Sequence, residues 1–85
     1  MSHVRMYTTM VCPFCIRAKR LLSLRGVREI EEIRVDLQPE EMGRMTQETG
    51  RRTVPQIYID GVHVGGCEEL YALDRAGKLV PMLGS

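Results

Sequence analysis

The sequence predicts an α/β fold in which a four-stranded mixed sheet carries helices on both faces. The expected element order is strand, helix, strand, helix, strand, strand, helix. Two observations predict it. In the first half of the chain, β-type runs alternate with helix-type patterns, which is typical of a parallel strand–helix–strand unit. In the second half, the pair Asp60-Gly61 separates two short β-type runs, which is typical of an antiparallel hairpin with a two-residue loop.

The composition and charge of the chain argue against several functional classes. Eighty-five residues, 44% hydrophobic and 27% charged, predict one globular domain over 1–85. A net charge of +1 provides no basic surface for nucleic acid or for an anionic membrane. The sequence shows neither a membrane-length apolar run nor a signal-peptide pattern, and its three cysteines are too few for a disulfide scaffold. We expect a cytoplasmic protein that acts as a monomer, without nucleic-acid or membrane partners.

The first strand and the first helix follow from local patterns. Residues 1–10 predict a short buried strand because they are rich in β-branched and aromatic side chains. We assign Tyr7 to core packing, with a role in a site as the alternative. Residues 13–25 predict a helix, and Gly26 follows where a C-terminal cap is expected. The apolar positions at helical spacing are Phe14, Ala18, Leu21 and Leu22.

The next strand and helix are less strongly patterned. Residues 29–37 predict a strand with one solvated face because apolar and charged residues alternate. The apolar positions are Ile33, Val35 and Leu37. Since one helix joins the two strands, they are predicted to be parallel. A second helix is predicted from Pro39 to the stop at Gly50, with Met42 and Met45 as gap-filling core residues rather than a cofactor-binding pair.

The predicted hairpin consists of residues 56–59 and 62–64, with His63 on a strand face. It contributes the antiparallel half of the mixed sheet. The tail, residues 78–85, is expected to pack back onto the domain and then fray, because Pro81 prevents a long helix.

A pair of glycines, Gly65 and Gly66, precedes the last predicted helix, residues 67–76, which stops at Gly77. Such a pair allows a ligand to approach free backbone N–H groups at the helix start. It also forms ordinary turns, in which the acidic residues that follow complement the helix dipole. From this segment alone we favour the turn.

The motif Cys12-Pro13-Phe14-Cys15 lies where the first strand gives way to the first helix. If Cys12 is the N-cap and Pro13 the first helical residue, the free N–H groups of that turn point at the Cys12 sulfur and favour its thiolate. Cys12 is then expected to be the exposed nucleophile with a lowered pKa, and Cys15 the shielded thiol that resolves a mixed disulfide. Taken alone, the motif is equally compatible with a pair of buried or metal-bound structural cysteines.

Three segments together resemble the glutaredoxins, a family with the thioredoxin fold: MYTT before CPFC, RTVPQIYIDG in the middle, and GGCEELYAL near the end. The resemblance covers nearly the whole chain. It implies a thiol–disulfide oxidoreductase that uses glutathione as co-substrate and needs no metal. It also implies that Cys12 carries the mixed disulfide and that Cys15 resolves protein disulfides.

The resemblance further implies a glutathione site. Its residues are Tyr7, Pro13, Phe14, Arg52, Thr53, Val54, Pro55, Gly66, Cys67 and Glu68. Thr53-Val54-Pro55 is similar to the family's cis-proline loop, whose valine backbone pairs with the cysteinyl part of glutathione. The N–H groups of Cys67 and Glu68 are implied to hold the γ-glutamyl carboxylate, which reverses the interpretation of the glycine pair as a plain turn.

The chain departs from the family pattern around the glycine carboxylate of glutathione. Thr9 stands where many members have a basic residue, and Met42 where many have a polar one. Arg52 is expected to compensate, with Arg51 as the alternative. Phe14 replaces the usual tyrosine, which keeps a ring beside the thiols but removes a hydroxyl.

Two other functions remain as alternatives. Two subunits could hold an iron–sulfur cluster through Cys12 and glutathione, as some glutaredoxins do, but cluster-binding relatives usually lack the proline at position 13. A structural zinc site would use Cys12, Cys15, His63 and Cys67, whose spacing is far wider than usual. The expected protein partners are glutathionylated or disulfide-containing proteins, with ribonucleotide reductase as a candidate implied by the family.

Overall fold

The computed structural model describes residues 2–84, and this range contains four strands and four helices. The strands are β1 (Val4–Thr8), β2 (Glu31–Arg34), β3 (Gln56–Ile59) and β4 (Val62–Gly65). The helices are α1 (Pro13–Leu24), α2 (Pro39–Thr49), α3 (Cys67–Arg75) and α4 (Leu79–Met82). Met1, in the predicted first strand segment, and Ser85, in the predicted tail, lie outside the described residues.

The four strands form one mixed sheet in the order β2-β1-β3-β4. β1 pairs with β2 in parallel and with β3 antiparallel, and β3 pairs with β4 antiparallel. Asp60 and Gly61 between β3 and β4 both have positive φ, 51° and 80°, as a tight hairpin turn requires. The predicted sheet and hairpin are confirmed.

Helices cover both faces of the sheet, as predicted. On one face α1, α3 and α4 pack against β1 and β3, and this core includes Val4, Met6, Ala18, Leu22, Ile57, Ile59, Leu70 and Leu79. On the other face α2 covers a smaller core of Tyr7, Val35, Met45 and Tyr58. Tyr7 and Met45 are fully buried, which confirms their assignment to core packing.

The strand predicted over residues 29–37 is shorter than expected. The chain turns after β2 because the Arg34 carbonyl accepts hydrogen bonds from the N–H groups of Leu37 and Gln38. Val35 still enters the core, but Leu37 is 68% exposed, so its predicted place in an alternating strand is wrong. Apolar and charged residues continue to alternate in the sequence after Arg34, but the pairing of β2 with β1 ends there.

The tail is more ordered than predicted as far as residue 84. Leu79 and Leu83 are buried in the core beneath α3, and the chain between them forms the short helix α4. Pro81 is tolerated there because N–H groups in the first turn of a helix have no intrahelical acceptor. None of the helices within residues 2–84 has the length and apolar character needed to cross a bilayer.

Candidate active site

Cys12 is the N-cap of α1, and Pro13 is its first residue. The Cys15 N–H donates a hydrogen bond of 3.1 Å to the Cys12 Sγ atom. Cys12 and Cys15 form a disulfide, with their Cα atoms 5.2 Å apart. The predicted helix start is therefore confirmed, and once the disulfide is reduced the same N–H group and the helix dipole favour a thiolate on Cys12.

Burial of the disulfide differs from the expectation. Cys12 is 6% exposed and Cys15 is 2% exposed, so the prediction of an exposed Cys12 is wrong for the oxidised protein. The cause is packing on two sides. The Cys12 sulfur is joined to the inward-facing Cys15, and it lies 3.8 Å from the carbonyl oxygen of Val54.

The neighbour of the disulfide is the loop before β3. Its Val54–Pro55 peptide bond is cis, as the resemblance implies. β1 and β3 are antiparallel neighbours with Tyr7 opposite Gln56, so the end of β1 and the start of β3 lie side by side. This register brings Val54 next to Cys12. Arg52 and Thr53 are exposed at the same loop.

The glycine pair borders this loop on its other side. A Cβ atom added to Gly65, whose φ is 118°, would lie 2.6 Å from the Glu69 Oε1 atom. A Cβ atom added to Gly66 would lie 3.3 Å from the Pro55 carbonyl oxygen. Position 65 therefore needs glycine, whereas a side chain at position 66 would require a small shift of the Pro55 carbonyl. The first-turn N–H groups of α3, including those of Cys67 and Glu68, have no intrahelical acceptor and are available to an anionic group.

A groove of about 320 Å³ lies between α1 and α3 next to the motif. It is lined by Phe14, Arg17, Cys67, Glu68, Tyr71 and Arg75. The Arg17 guanidinium lies 5.9 Å from the Phe14 ring centroid and 5.3 Å from that of Tyr71. Burial raises the pKa of the Cys67 thiol, so Cys67 stays protonated at neutral pH and is a weaker nucleophile than a thiolate.

The glutaredoxin family model matches residues 4–64, which include the cysteine motif, the cis-proline loop and most of the sheet. The chain belongs to the glutaredoxin family. It is 49% identical to a glutaredoxin of Pseudomonas aeruginosa over the full length of both chains. It is 48% identical to glutaredoxin 3 of Escherichia coli K12, over 98% of this chain and 99% of that one.

Solved structures agree with this assignment. The crystal structure of a buckwheat glutaredoxin–glutathione complex superimposes with a TM-score of 0.90 at 35% identity, over 98% of this chain and 77% of that one. The solution structure of Brucella melitensis glutaredoxin gives 0.82 at 46% identity, over 98% and 91%. This glutaredoxin is accordingly a thiol–disulfide oxidoreductase, and Cys12–Cys15 is its redox-active disulfide.

The structure brings most of the predicted site residues of this glutaredoxin to one region. Pro13 and Phe14 lie at the start of α1, residues 52–55 in the adjoining loop, and residues 66–68 at the start of α3. Tyr7 is the exception, since its side chain is fully buried on the α2 face of the sheet. Met42 is also turned toward that core.

Residues 2–84 of this glutaredoxin contain no group of three His, Cys, Asp or Glu side chains placed to hold a metal ion. The set Cys12, Cys15, His63 and Cys67 is therefore not assembled. His63 instead forms a 2.7 Å hydrogen bond with the buried side chain of Gln56.

Two carboxylates near the site were missed by the sequence interpretation. Asp36 accepts a 3.2 Å hydrogen bond from the Met10 N–H and so ties the loop before Cys12 to the turn after β2. Hydrogen bonding to Arg34 lowers the pKa of Asp36 to about 2. Glu69 accepts hydrogen bonds from the Gly66 N–H and from Arg51. For Glu69 the spacing from Gly66 was a usable signal, because Glu at the third helical position caps a helix start.

Proposed function

We propose that this glutaredoxin reduces glutathionylated proteins and protein disulfides with glutathione as the reductant. Cys12 acts as the nucleophile and Cys15 as the resolving thiol. The observation that carries the proposal is the position of the Cys12 sulfur, at the N-terminus of α1 and hydrogen-bonded by the Cys15 N–H at 3.1 Å. The reported glutathione complex of the buckwheat relative supports the choice of reductant.

In the one-thiol reaction, the Cys12 thiolate attacks the glutathione sulfur of a protein–glutathione mixed disulfide. The protein leaves as a thiolate, and Cys12 retains the glutathionyl group. A glutathione thiolate then attacks the glutathionyl sulfur, which frees the Cys12 thiolate and releases glutathione disulfide. Val54 and the start of α3 flank the reacting sulfur, so the backbone groups there would orient the glutathionyl moiety.

In the two-thiol reaction, the Cys12 thiolate attacks one sulfur of a protein disulfide and forms a mixed disulfide with the protein. Cys15 then attacks the Cys12 sulfur, which releases the reduced protein and forms the Cys12–Cys15 disulfide seen here. Two glutathione molecules reduce that disulfide and leave as glutathione disulfide. The burial of Cys15 restricts it to this second step, because the sulfur within its reach is that of Cys12.

The experiment compares wild type, Cys12→Ser and Cys15→Ser with a glutathionylated peptide and with a protein disulfide. Turnover is followed through glutathione reductase and NADPH. We expect Cys12→Ser to reduce both activities to background. Cys15→Ser should keep activity on the glutathionylated peptide and lose activity on the protein disulfide.

Cys67→Ser is the matched control, because it removes a buried thiol that the proposed reaction does not use and keeps the backbone N–H that the glutathione site would use. We expect it to retain both activities. Activity of Cys12→Ser on the glutathionylated peptide would contradict the assignment of the nucleophile. A wild type that reduces protein disulfides only with another reductant would contradict the glutathione dependence.

A further inference from the structure

One carboxylate oxygen joins the cis-proline loop to the start of α3. Glu69 Oε1 lies 2.8 Å from the Arg51 Nη1 atom, and Arg51 belongs to the loop that leads to the cis-proline. The same oxygen accepts the Gly66 N–H at 2.6 Å, at the start of α3. Arg51 is thus linked through Glu69 to the backbone of the glycine pair.

The surrounding backbone leaves Glu69 little freedom. The Glu69 carboxylate and side-chain carbons lie 2.6 to 3.1 Å from the point where a Cβ atom of Gly65 would stand. The Pro55 carbonyl oxygen approaches Gly66 from the other loop. Because Gly66 has no side chain, the start of α3 relies on Glu69 for its capping carboxylate.

The Arg51–Glu69 contact matters for the position of the groups around it and contributes little to the stability of the fold. The two side chains are 43% and 41% exposed, and exposed ion pairs contribute little to overall stability. The contact nevertheless orients a carboxylate that holds the Gly66 N–H, next to the N–H groups of Cys67 and Glu68. It also occupies Arg51, whereas Arg52 extends from the same loop as an exposed side chain.

We propose that Arg51 and Glu69 are positioning residues that tie the cis-proline loop to the start of α3 and hold the two halves of the glutathione site at their working distance. The inference rests on the proposed function for its substrate. It assigns Arg51 to the protein's own carboxylate, so that Arg52 is the arginine of this loop left for a carboxylate of glutathione.

The test is a double-mutant cycle of Arg51→Gln and Glu69→Ala, with Arg51→Lys as the conservative variant. Arg28→Gln is the matched control, because it removes an exposed arginine from the loop before β2. Two quantities are measured: KM and kcat for a glutathionylated peptide, and the amide hydrogen exchange of Gly66 in the free protein.

Each single change should raise KM about 3- to 10-fold and leave kcat within about twofold, since it disorders binding groups without touching the reacting sulfur. The double variant should be no worse than Glu69→Ala, because Arg51 acts through Glu69. Arg51→Gln should speed the exchange of the Gly66 amide, and Arg51→Lys should restore part of both effects. Arg28→Gln should change neither quantity.

Additive effects on KM together with unchanged Gly66 exchange in Arg51→Gln would overturn the inference, because Arg51 would then contact the substrate directly. A wild type that does not use the glutathionylated peptide would overturn the proposed function and the substrate part of this inference. The exchange measurement needs no glutathione. It therefore shows whether Arg51 orders the start of α3 even if the glutathionylated peptide is not a substrate.

Discussion

Tyr7 and Tyr58 are neighbouring aromatic residues on the α2 face of the sheet, with ring centroids 6.1 Å apart, but their hydroxyls differ. The Tyr58 hydroxyl donates a 2.9 Å hydrogen bond to Glu48. The Tyr7 hydroxyl is buried and has no hydrogen-bond partner within the described chain. A buried polar group without a partner costs about 1 to 3 kcal/mol, whereas a satisfied one contributes about 0.5 to 1.5 kcal/mol.

We therefore expect Tyr7→Phe to keep the free energy of unfolding or to raise it by about 1 kcal/mol. Tyr58→Phe should lower it by about 1 kcal/mol, because the hydrogen bond from the hydroxyl to Glu48 is lost. Urea denaturation of both variants checks the pair. A clear loss of stability in Tyr7→Phe would show that its hydroxyl has a partner.

Residue-scale features of the site were only partly predictable from the sequence. The N-cap role of Cys12 follows from Pro13 beside it, because proline at the first helical position is a local preference. The choice between Arg51 and Arg52 does not follow, since two adjacent arginines in a loop have the same local pattern. Only the approach of Glu69 from another part of the chain distinguishes them.

Among the elements, α2 is held to the sheet mainly by one fully buried side chain, Met45. Its interior also contains Gly43, around which a Cβ atom would meet nothing within 4 Å. Since glycine is about 1 kcal/mol less favourable than alanine inside a helix, Gly43→Ala should raise the free energy of unfolding by about 0.5 to 1 kcal/mol. Chemical denaturation measures the change.

Gly50 is the control for this variant because it caps the same helix with a φ of 73°. Gly50→Ala should lower stability by about 1 kcal/mol, since a left-handed conformation is unfavourable for residues with a Cβ atom. If both substitutions change stability in the same direction, the explanation by backbone conformation is wrong.

Elements were predictable where their signals are local. α1 and the β3–β4 hairpin have helix caps and turn residues in their own sequence, and they form where predicted. The end of β2 and the helix α4 depend on partners elsewhere in the chain. β2 stops where its pairing with β1 ends, and α4 forms because Leu79 and Leu83 fill a core that α1 and α3 leave open.

At the scale of the whole molecule, ionisable groups predict how stability depends on pH. Hydrogen bonds to Lys19 and Arg51 lower the pKa values of Glu32 and Glu69, and Asp36 behaves likewise through Arg34. A carboxyl whose pKa is lowered by folding stabilises the protein above its unfolded pKa, and that contribution is lost as pH falls toward the folded value. For these groups the loss begins below the ordinary values of 4.5 for Glu and 3.8 for Asp.

His63 makes the stability of the protein depend on pH in a second, higher range. Burial and the nearby Arg51 lower the pKa of His63 below 6.5, so the unfolded chain takes up a proton before the folded protein does. Stability should thus change little around pH 7 and decline as pH falls below 6.5, before the carboxyls contribute. Urea denaturation across this range checks the expectation. His63→Gln should remove the decline between 6.5 and 4.5 only, and an unchanged decline would exclude His63 as its cause.

Both loops that meet at the disulfide are attached to the two central strands: Cys12 follows β1, and Pro55 precedes β3. Neither Cys12 nor Pro55 adjoins the edge strands β2 and β4. Local unfolding begins preferentially where few neighbours protect the backbone, which in a sheet means its edges. Fraying of either edge would therefore leave Cys12 and Val54 in register, because that register belongs to the β1–β3 pair. The redox centre would thus tolerate local opening at the edges of the sheet.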